Sequence, residues 1–188
     1  MLEKIPGTQL EFEEGFEKRA FSVLTPLLSV TRGLTLGQIS EVTGLKGSTI
    51  QNWIKRGWVA NPRRKRYGER QVARIIIINM LKSCLQLEQI IDLMAYVNGS
   101  VEDASDDIIS DKKLFNILCY VIYLADLNQT HDKKEIKEVI AEALNDYQGP
   151  AADSKQRLSQ ALLVMTLAYL SSQIQSEAEK ELAITWTE

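Results

Sequence analysis

Two short runs of apolar residues at helical spacing, separated by a glycine, constrain the fold of this chain more than any other sequence feature. The first run is followed by Gly44 and the second by Gly57, and glycine commonly ends a helix because it adopts the left-handed conformation without strain. Ser48 is a residue type that caps helix N-termini, so we expect the second helix over residues 49–56. The apolar positions are Leu36, Ile39, Val42, Ile50, Trp53 and Ile54. Two short helices joined across a glycine-containing turn are typical of a helix-turn-helix.

A strongly basic segment follows the second of these helices. Asn61 and Pro62 are turn-forming residues with apolar residues on both sides, a pattern that favours a small β-ribbon closed by Tyr67. Its tip consists of four consecutive basic residues: Arg63, Arg64, Lys65 and Arg66. A basic run is usually a solvated loop, but a position directly after a helix-turn-helix favours contact with nucleic acid.

Charge is segregated along the chain rather than spread evenly. The net charge is -3, yet residues 46–74 hold nine basic residues and one acidic residue, which gives this segment a charge of +8 and leaves -11 for the rest. A local excess of this size can neutralise phosphates, whereas an acidic remainder limits indiscriminate binding to nucleic acid. The charge pattern therefore favours DNA as the partner of the basic segment.

The apolar pattern predicts a mainly α-helical chain with three regions. Residues 1–32 form a helical extension interrupted near Pro26, residues 33–99 form a winged helix-turn-helix domain with a small β-wing, and residues 100–188 form an all-helical C-terminal region for packing, dimerisation or an effector.

Helices are also predicted beyond the basic segment. The β-branched run at residues 75–78 would favour a strand by itself, but the length of the surrounding pattern predicts a helix that is buried nearly all round. Ser110 caps a further helix, and Asp132 with Glu135 resembles a capping box. The predicted ranges are 72–84, 87–97, 111–126, one helix from about Asp132 to Tyr147, and 154–182.

The helix-turn-helix and its wing together resemble the DNA-binding domain of MerR-type regulators. The matching features are Gln38 to Thr43, the Thr49-Ile50-Gln51-Asn52-Trp53 run, the Gly57-Trp58-Val59 exit, and the basic wing from Pro62 to Tyr67. Beyond that level, the chain resembles a bacterial family known as domain of unknown function 1836. This closer resemblance rests on residues 47–53, 66–71 and 94–99 and covers most of residues 20–145.

The resemblance implies a recognition helix that enters the major groove and a wing that holds the neighbouring backbone or enters the minor groove. We assign direct base readout to Gln51 and Asn52, because an amide side chain can pair bidentately with adenine. MerR proteins usually carry Arg and Tyr at these two positions, so their operator preference does not transfer. The remaining DNA-binding residues are expected to be Ser48, Thr49 and Lys55 for mixed contacts, Arg63, Arg64, Lys65 and Arg66 in the wing, and Tyr67, whose ring packs while its hydroxyl reaches a phosphate.

Catalytic, metal and cofactor sites are not expected. The sequence has no glycine-rich phosphate loop and no plausible catalytic triad, which argues against an enzyme. Cys84 and Cys119 lie in apolar segments without a CxxC spacing, and only His131 is available to complete a metal site. Both cysteines are therefore expected to be reduced core residues, and His131 a surface or capping residue.

These observations predict a cytoplasmic, sequence-specific DNA-binding transcriptional regulator that acts as a homodimer. No signal peptide or long apolar span is evident, so no membrane association is expected. An alternative keeps the same fold but makes the chain an adaptor whose acidic helical half binds another protein. The sequence leaves open whether a small-molecule effector is sensed.

Overall fold

A computed structural model describes residues 2–103, 105–130 and 132–185, and within them the chain is mainly helical, as predicted. A 3₁₀ turn, Ala20–Leu24, leads directly into α1. The α-helices are α1 Thr25–Thr31, α2 Leu36–Thr43, α3 Gly47–Lys55, α4 Glu69–Leu81, α5 Leu87–Asn98, α6 Asp111–Leu127, α7 Lys133–Ala143 and α8 Ser154–Thr185.

Helix α4 lies at the centre of the molecule. It contacts α2 on the N-terminal side and α5, α6 and α8 on the C-terminal side. The four isoleucines at residues 75–78 are all fully buried, which confirms the prediction of a helix that is apolar nearly all round. Tertiary packing on every side overrides the β preference of this run.

The pair α2 and α3 is built by local signals at each end. The Thr35 Oγ1 accepts a hydrogen bond from the Gln38 backbone N at 3.2 Å, and the Gln38 Oε1 accepts one from the Thr35 N at 2.9 Å, so a capping box begins α2. Gly44 ends it with φ of 71°. The prediction that Ser48 caps the next helix is wrong: α3 begins at Gly47, and Ser48 lies in its first turn. No side-chain cap hydrogen bond forms at this helix start, and α3 begins earlier than Ser48 suggested.

The expected β-ribbon is reduced to isolated bridges, and the described residues contain no strand. Arg63 pairs with Arg66 across a two-residue turn, and Tyr67 pairs with Leu34. The ribbon does not lengthen, because the Gln71 side chain takes the backbone groups of the next hydrogen-bonded pair: its Oε1 accepts from the Gly68 N at 2.7 Å and its Nε2 donates to the Asn61 O at 3.0 Å.

The N-terminal extension differs from its prediction. Residues 2–19 form no helix, and Pro26 lies in the first turn of α1, where its missing N–H costs nothing, instead of interrupting a helix. This extension is nevertheless fixed in place: the Asn79 Nδ2 donates to the backbone O of Gly7 and of Thr43, both at 2.9 Å. One amide of α4 therefore ties the N-terminal loop and the end of α2 to the centre of the fold.

The C-terminal helices follow the sequence signals closely. Ser110 caps α6 by accepting from the Lys113 N, and Asp132 caps α7 by accepting from the Lys134 and Glu135 N atoms. The first half of α8 packs into the core down to Ser172, whereas residues 173–185 are exposed throughout. Helix α7 ends at Ala143, short of the predicted Tyr147.

The two cysteines have different environments. Cys119 is buried, as expected, and burial raises the pKa of its thiol well above the ordinary value. Cys84 is exposed, so the prediction of a core position is wrong: it lies in the turn after α4, beyond the buried part of the helix. His131 lies outside the described residues. No helix within the described ranges is long and apolar enough to cross a membrane.

Candidate nucleic-acid interface

Helix α3 has one buried face and one polar face. Ile50 and Trp53 are buried against the core, which fixes the helix rotation. The polar face presents side chains that can reach a ligand. Its members are Ser48, Gln51, Asn52 and Lys55, which are exposed, and Thr49, which is half-buried.

The basic turn, which we define as residues 63–66, projects its tip into solvent. The Arg63 N donates to the Arg66 O at 3.0 Å and the Arg66 N donates back to the Arg63 O at 2.9 Å, which closes the smallest possible hairpin. Arg64 and Lys65 occupy its two central positions with φ of 51° and 61°. Both are exposed, as is Arg63, while the Arg66 Nη1 donates to the Gly33 O at 3.3 Å. The geometry concentrates charge at the tip and holds its base to the chain before α2.

Tyr67 stands apart from the other predicted DNA-binding residues. Its backbone N donates to the Leu34 O at 2.8 Å, its O accepts from the Leu34 N at 2.9 Å, and the residue is only 4% exposed. Burial raises the pKa of its hydroxyl. The ring therefore anchors the basic turn to the core.

Arg32 joins the basic turn although the sequence did not point to it. Together with Arg63, Arg66 and Arg70 it lines a cavity of about 410 Å³. Arg32 reaches this position because Leu34 pairs with Tyr67, and no local pattern predicts a pairing between residues so far apart in the chain.

Two arginines of the basic segment serve structure instead. Arg74 is buried, donates from Nε to the Trp58 O at 2.9 Å, and lies 3.4 Å from the Asp111 Oδ2. The Arg70 Nη2 lies 3.2 Å from the Asp107 Oδ1, and its Nε lies 3.7 Å from the Asp111 Oδ2. The charge available on the surface is thus lower than the sequence count implies.

This cluster of Arg70, Arg74, Asp107 and Asp111 joins the first half of α4 to the start of α6. Asp111 is completely buried and also accepts a hydrogen bond from the Asn98 Nδ2 at 2.8 Å. Burial raises the pKa of Asp107 to about 6, although the Arg70 guanidinium lowers it. The orientation of α4 therefore depends on carboxylates from the C-terminal region.

Two tryptophans, Trp53 and Trp58, pack at the end of α3. Trp53 is buried, and the Arg56 guanidinium lies over the Trp58 ring, 4.9 Å from its centroid. Arg56 also forms an exposed ion pair with Glu88 at 3.4 Å. Both aromatic rings pack against protein groups.

The fold defines a mainly helical protein in which one face of α3 is polar and exposed and the tip of the basic turn is exposed. Residues 29–118 match a family described as "Domain of unknown function (DUF1836)", which confirms that part of the predicted resemblance. The chain is also similar to a protein of Bacillus subtilis (strain 168) described as "Uncharacterized protein YkrK", with 28% identity over 187 residues that cover 94% of this chain and 78% of that protein. No solved structure matches this chain.

Proposed function

We propose that this protein is a sequence-specific double-stranded DNA-binding transcriptional regulator. In this proposal α2, the turn at residues 44–46 and α3 form a helix-turn-helix of the MerR type, and the basic turn is a minimal wing. The observation that carries it is the polar face of α3: its apolar residues are buried, so Gln51 and Asn52 are left exposed on a rigidly held helix. Rigid presentation of amide side chains suits base readout in the major groove.

The roles of the individual residues follow from their placement. Gln51 and Asn52 read base edges, while Ser48, Thr49 and Lys55 contact bases and phosphates around them. Arg63, Arg64 and Lys65 contact the backbone or the minor groove, with Arg66 at the base of the turn. Tyr67 contributes by holding the turn in place, because its ring is buried.

Selection of bound duplexes from random DNA, followed by fluorescence anisotropy at several salt concentrations, tests this function. Gln51→Ala should alter the selected sequence and weaken binding to the original site by about 1–3 kcal/mol. Replacing Arg63, Arg64 and Lys65 by Gln should weaken binding to all sequences. It should also reduce the salt slope, the steepness with which log affinity falls with log salt concentration, by about 0.9 for each phosphate that is no longer neutralised.

A control uses exposed lysines of α7, outside the proposed interface. Lys133→Gln with Lys134→Gln on α7 removes charge without touching the proposed interface and should leave duplex affinity unchanged. Equal duplex binding by wild type and the basic-turn variant would show that the wing assignment is wrong.

A second candidate function is that of an adaptor for another protein. It is favoured by the exposed end of α8, residues 173–185, which carries Glu177, Glu179 and Glu181 and projects no buried side chain into the core. A pull-down that recovers a stoichiometric protein partner, together with no binding of any duplex at low salt, would favour the adaptor over the regulator.

A further inference from the structure

A cavity of about 750 Å³ is lined mainly by residues of the C-terminal region, and no residue of α3 or of the basic turn lines it. It is bounded by the start of α6, by the segment that follows α7, and by the chain that leads from α5 into α6. Its volume is in the range of pockets that hold small organic ligands, which is roughly 300–1,000 Å³.

Charged groups of opposite sign line this cavity from different elements. Lys113 comes from the first turn of α6 and Lys18 from the N-terminal extension, whereas Asp146 follows α7 and Asp107 precedes α6. Asn116 lies one turn after Lys113, and its Oδ1 is occupied by the Phe21 N at 2.8 Å, which leaves the amide NH₂ as a donor.

The rest of the lining is apolar and its walls are tied together. Ile109, Ile117 and Ala143 supply the apolar surface. The Tyr147 Oη donates to the Ile108 O at 2.7 Å, which fixes the segment after α7 against the chain before α6. This hydrogen bond therefore joins two walls of the cavity.

We propose that this cavity binds a small zwitterionic molecule with an apolar body, the chemistry of apolar amino acids and short peptides. The ligand's carboxylate is held by Lys113 and the Asn116 amide, while the Lys18 ammonium, which lies over the Tyr120 ring 4.9 Å from its centroid, adds positive charge to this end of the cavity. Its ammonium group lies towards Asp146 and Asp107, and its apolar body lies on the isoleucines. A cation alone or an anion alone would leave one of the two charged sets facing a like charge, so the lining favours a ligand that carries both.

The cavity is connected to the proposed DNA-binding surface through Asp107. Asp107 lines the cavity, and its Oδ1 accepts a hydrogen bond from the Arg70 Nη2 at 3.2 Å. Arg70 lies in the first turn of α4, directly after the basic turn. A ligand ammonium that shares Asp107 weakens the hold on Arg70 and changes the position of the basic turn. This step, unlike ligand binding itself, rests on the proposed function.

Isothermal titration calorimetry with unblocked dipeptides of leucine, valine, phenylalanine and tyrosine tests the ligand assignment. At least one dipeptide should bind with Kd below about 1 mM, and N-acetylation or C-amidation of that dipeptide should weaken binding at least tenfold, because each removes one of the two charges. Absence of binding by every dipeptide, or equal binding of the blocked forms, would overturn the assignment.

Variants of the cavity test the carboxylate contact and the ammonium contact of the ligand separately. Lys113→Gln should reduce the affinity difference between the free and the C-amidated dipeptide, and Asp146→Asn should reduce the difference between the free and the N-acetylated dipeptide, because each variant removes one of the charges that hold that end. Lys137→Gln and Asp153→Asn are exposed controls outside the cavity and should retain both preferences. If the controls lose these preferences as the cavity variants do, the dipeptide binds elsewhere and the proposal is wrong.

Anisotropy with a selected duplex, with and without the bound dipeptide, then tests the coupling. At dipeptide concentrations that saturate each protein in calorimetry, duplex affinity should change at least threefold in wild type and stay unchanged in Asp107→Asn. Dipeptide binding without any duplex binding would contradict the proposed function and leave the ligand site standing. Duplex binding without dipeptide binding would support the proposed function and overturn the ligand site. Binding of both, with neither changing the affinity for the other, would disprove the coupling.

Discussion

Arg74 and Asp111 form the most deeply buried ion pair among the described residues. Arg74 is 1% exposed and Asp111 is 0% exposed, and each has further partners: the Trp58 O for the arginine and the Asn98 amide for the aspartate. Removing one member of a buried pair leaves an uncompensated charge, which costs more than the pair itself contributes.

Asp111→Asn is therefore expected to lower the free energy of unfolding by about 3–5 kcal/mol, since the Arg74 charge loses its main counterion inside the core. Urea unfolding followed by circular dichroism measures this change. Glu88→Gln breaks the exposed pair with Arg56 and should change stability by less than about 1 kcal/mol. The double variant Arg74→Met with Asp111→Asn should recover part of the loss, and no recovery would contradict a buried-charge origin.

Asp107 should make stability depend on pH. Burial raises the pKa of this carboxyl from 3.8 to about 6 in the folded chain, so the folded state binds the proton more tightly than the unfolded state does. Its stabilising contribution is complete below the unfolded value and is lost as pH rises through about 6. Wild type should gain stability relative to Asp107→Asn between pH 7 and pH 5 in urea unfolding. An unchanged difference between the two proteins at both pH values would contradict this.

The sequence predicted which residue types make the candidate site but not which of them remain on the surface. Lys55 and Arg74 look alike in a charge count, yet Lys55 is exposed and Arg74 is buried. The difference is decided by Asp111, which follows far along the chain. Local charge patterns carry no information about such a partner, so Arg70 and Arg74 were counted towards the DNA-binding charge, and Arg32 was missed.

Among the elements, helices were predicted well because their signals are local. The caps at Ser110 and Asp132 both hold, and the length of the apolar pattern correctly outweighed the β-branched isoleucines of α4. The wing was predicted as a ribbon because its flanking residues resemble strands. A ribbon needs a partner along its whole length, and here the Gln71 side chain, from the first turn of α4, takes the Gly68 N and the Asn61 O, so only single bridges form.

The basic turn allows charge and backbone geometry to be tested separately. Its central residues, Arg64 and Lys65, have positive φ, a conformation that Asn-Gly adopts with less strain. Arg64→Asn with Lys65→Gly should raise the free energy of unfolding by about 1 kcal/mol and lower duplex affinity and the salt slope. Arg64→Gln with Lys65→Gln removes the same charges without relieving the turn and should lower affinity equally with no gain in stability. Unfolding curves and salt-dependent anisotropy distinguish the two variants, and equal stability would contradict the turn argument.

At the scale of the whole molecule, one apolar core extends from Ile5 to Tyr169. Asn79 ties the N-terminal loop and α2 to α4, while the carboxylates of Asp107 and Asp111 tie the other side of α4 to α6. A region predicted as separate from the helix-turn-helix thus contributes directly to how α4 and the basic turn are held. These links join residues distant in sequence, which is why periodicity and composition did not indicate them.

The exposed end of α8 is the part of the chain that this core does not support. Residues 173–185 are exposed throughout, including Ile174 at 59% and Leu182 at 54%. A helical end without any buried side chain is marginal in water unless another surface covers it. We therefore expect this segment to pack against a second copy in the proposed homodimer, where two DNA-binding surfaces would engage two half-sites.

Ile174→Asp with Leu182→Asp should convert a dimer into a monomer in light scattering coupled to size-exclusion chromatography, because the charges would be buried at the interface. Duplex affinity should fall, because a monomer binds one half-site and a dimer binds both at once. Ser176→Asp adds a charge within the same exposed stretch and serves as a control for charge alone, with both mass and affinity expected to stay near wild type.

Removing residues 173–188 should have the same effect as the double variant while leaving the helical core folded. If the shortened chain is still a dimer, the interface lies on another face and the end of α8 is free for the protein partner that the adaptor alternative requires.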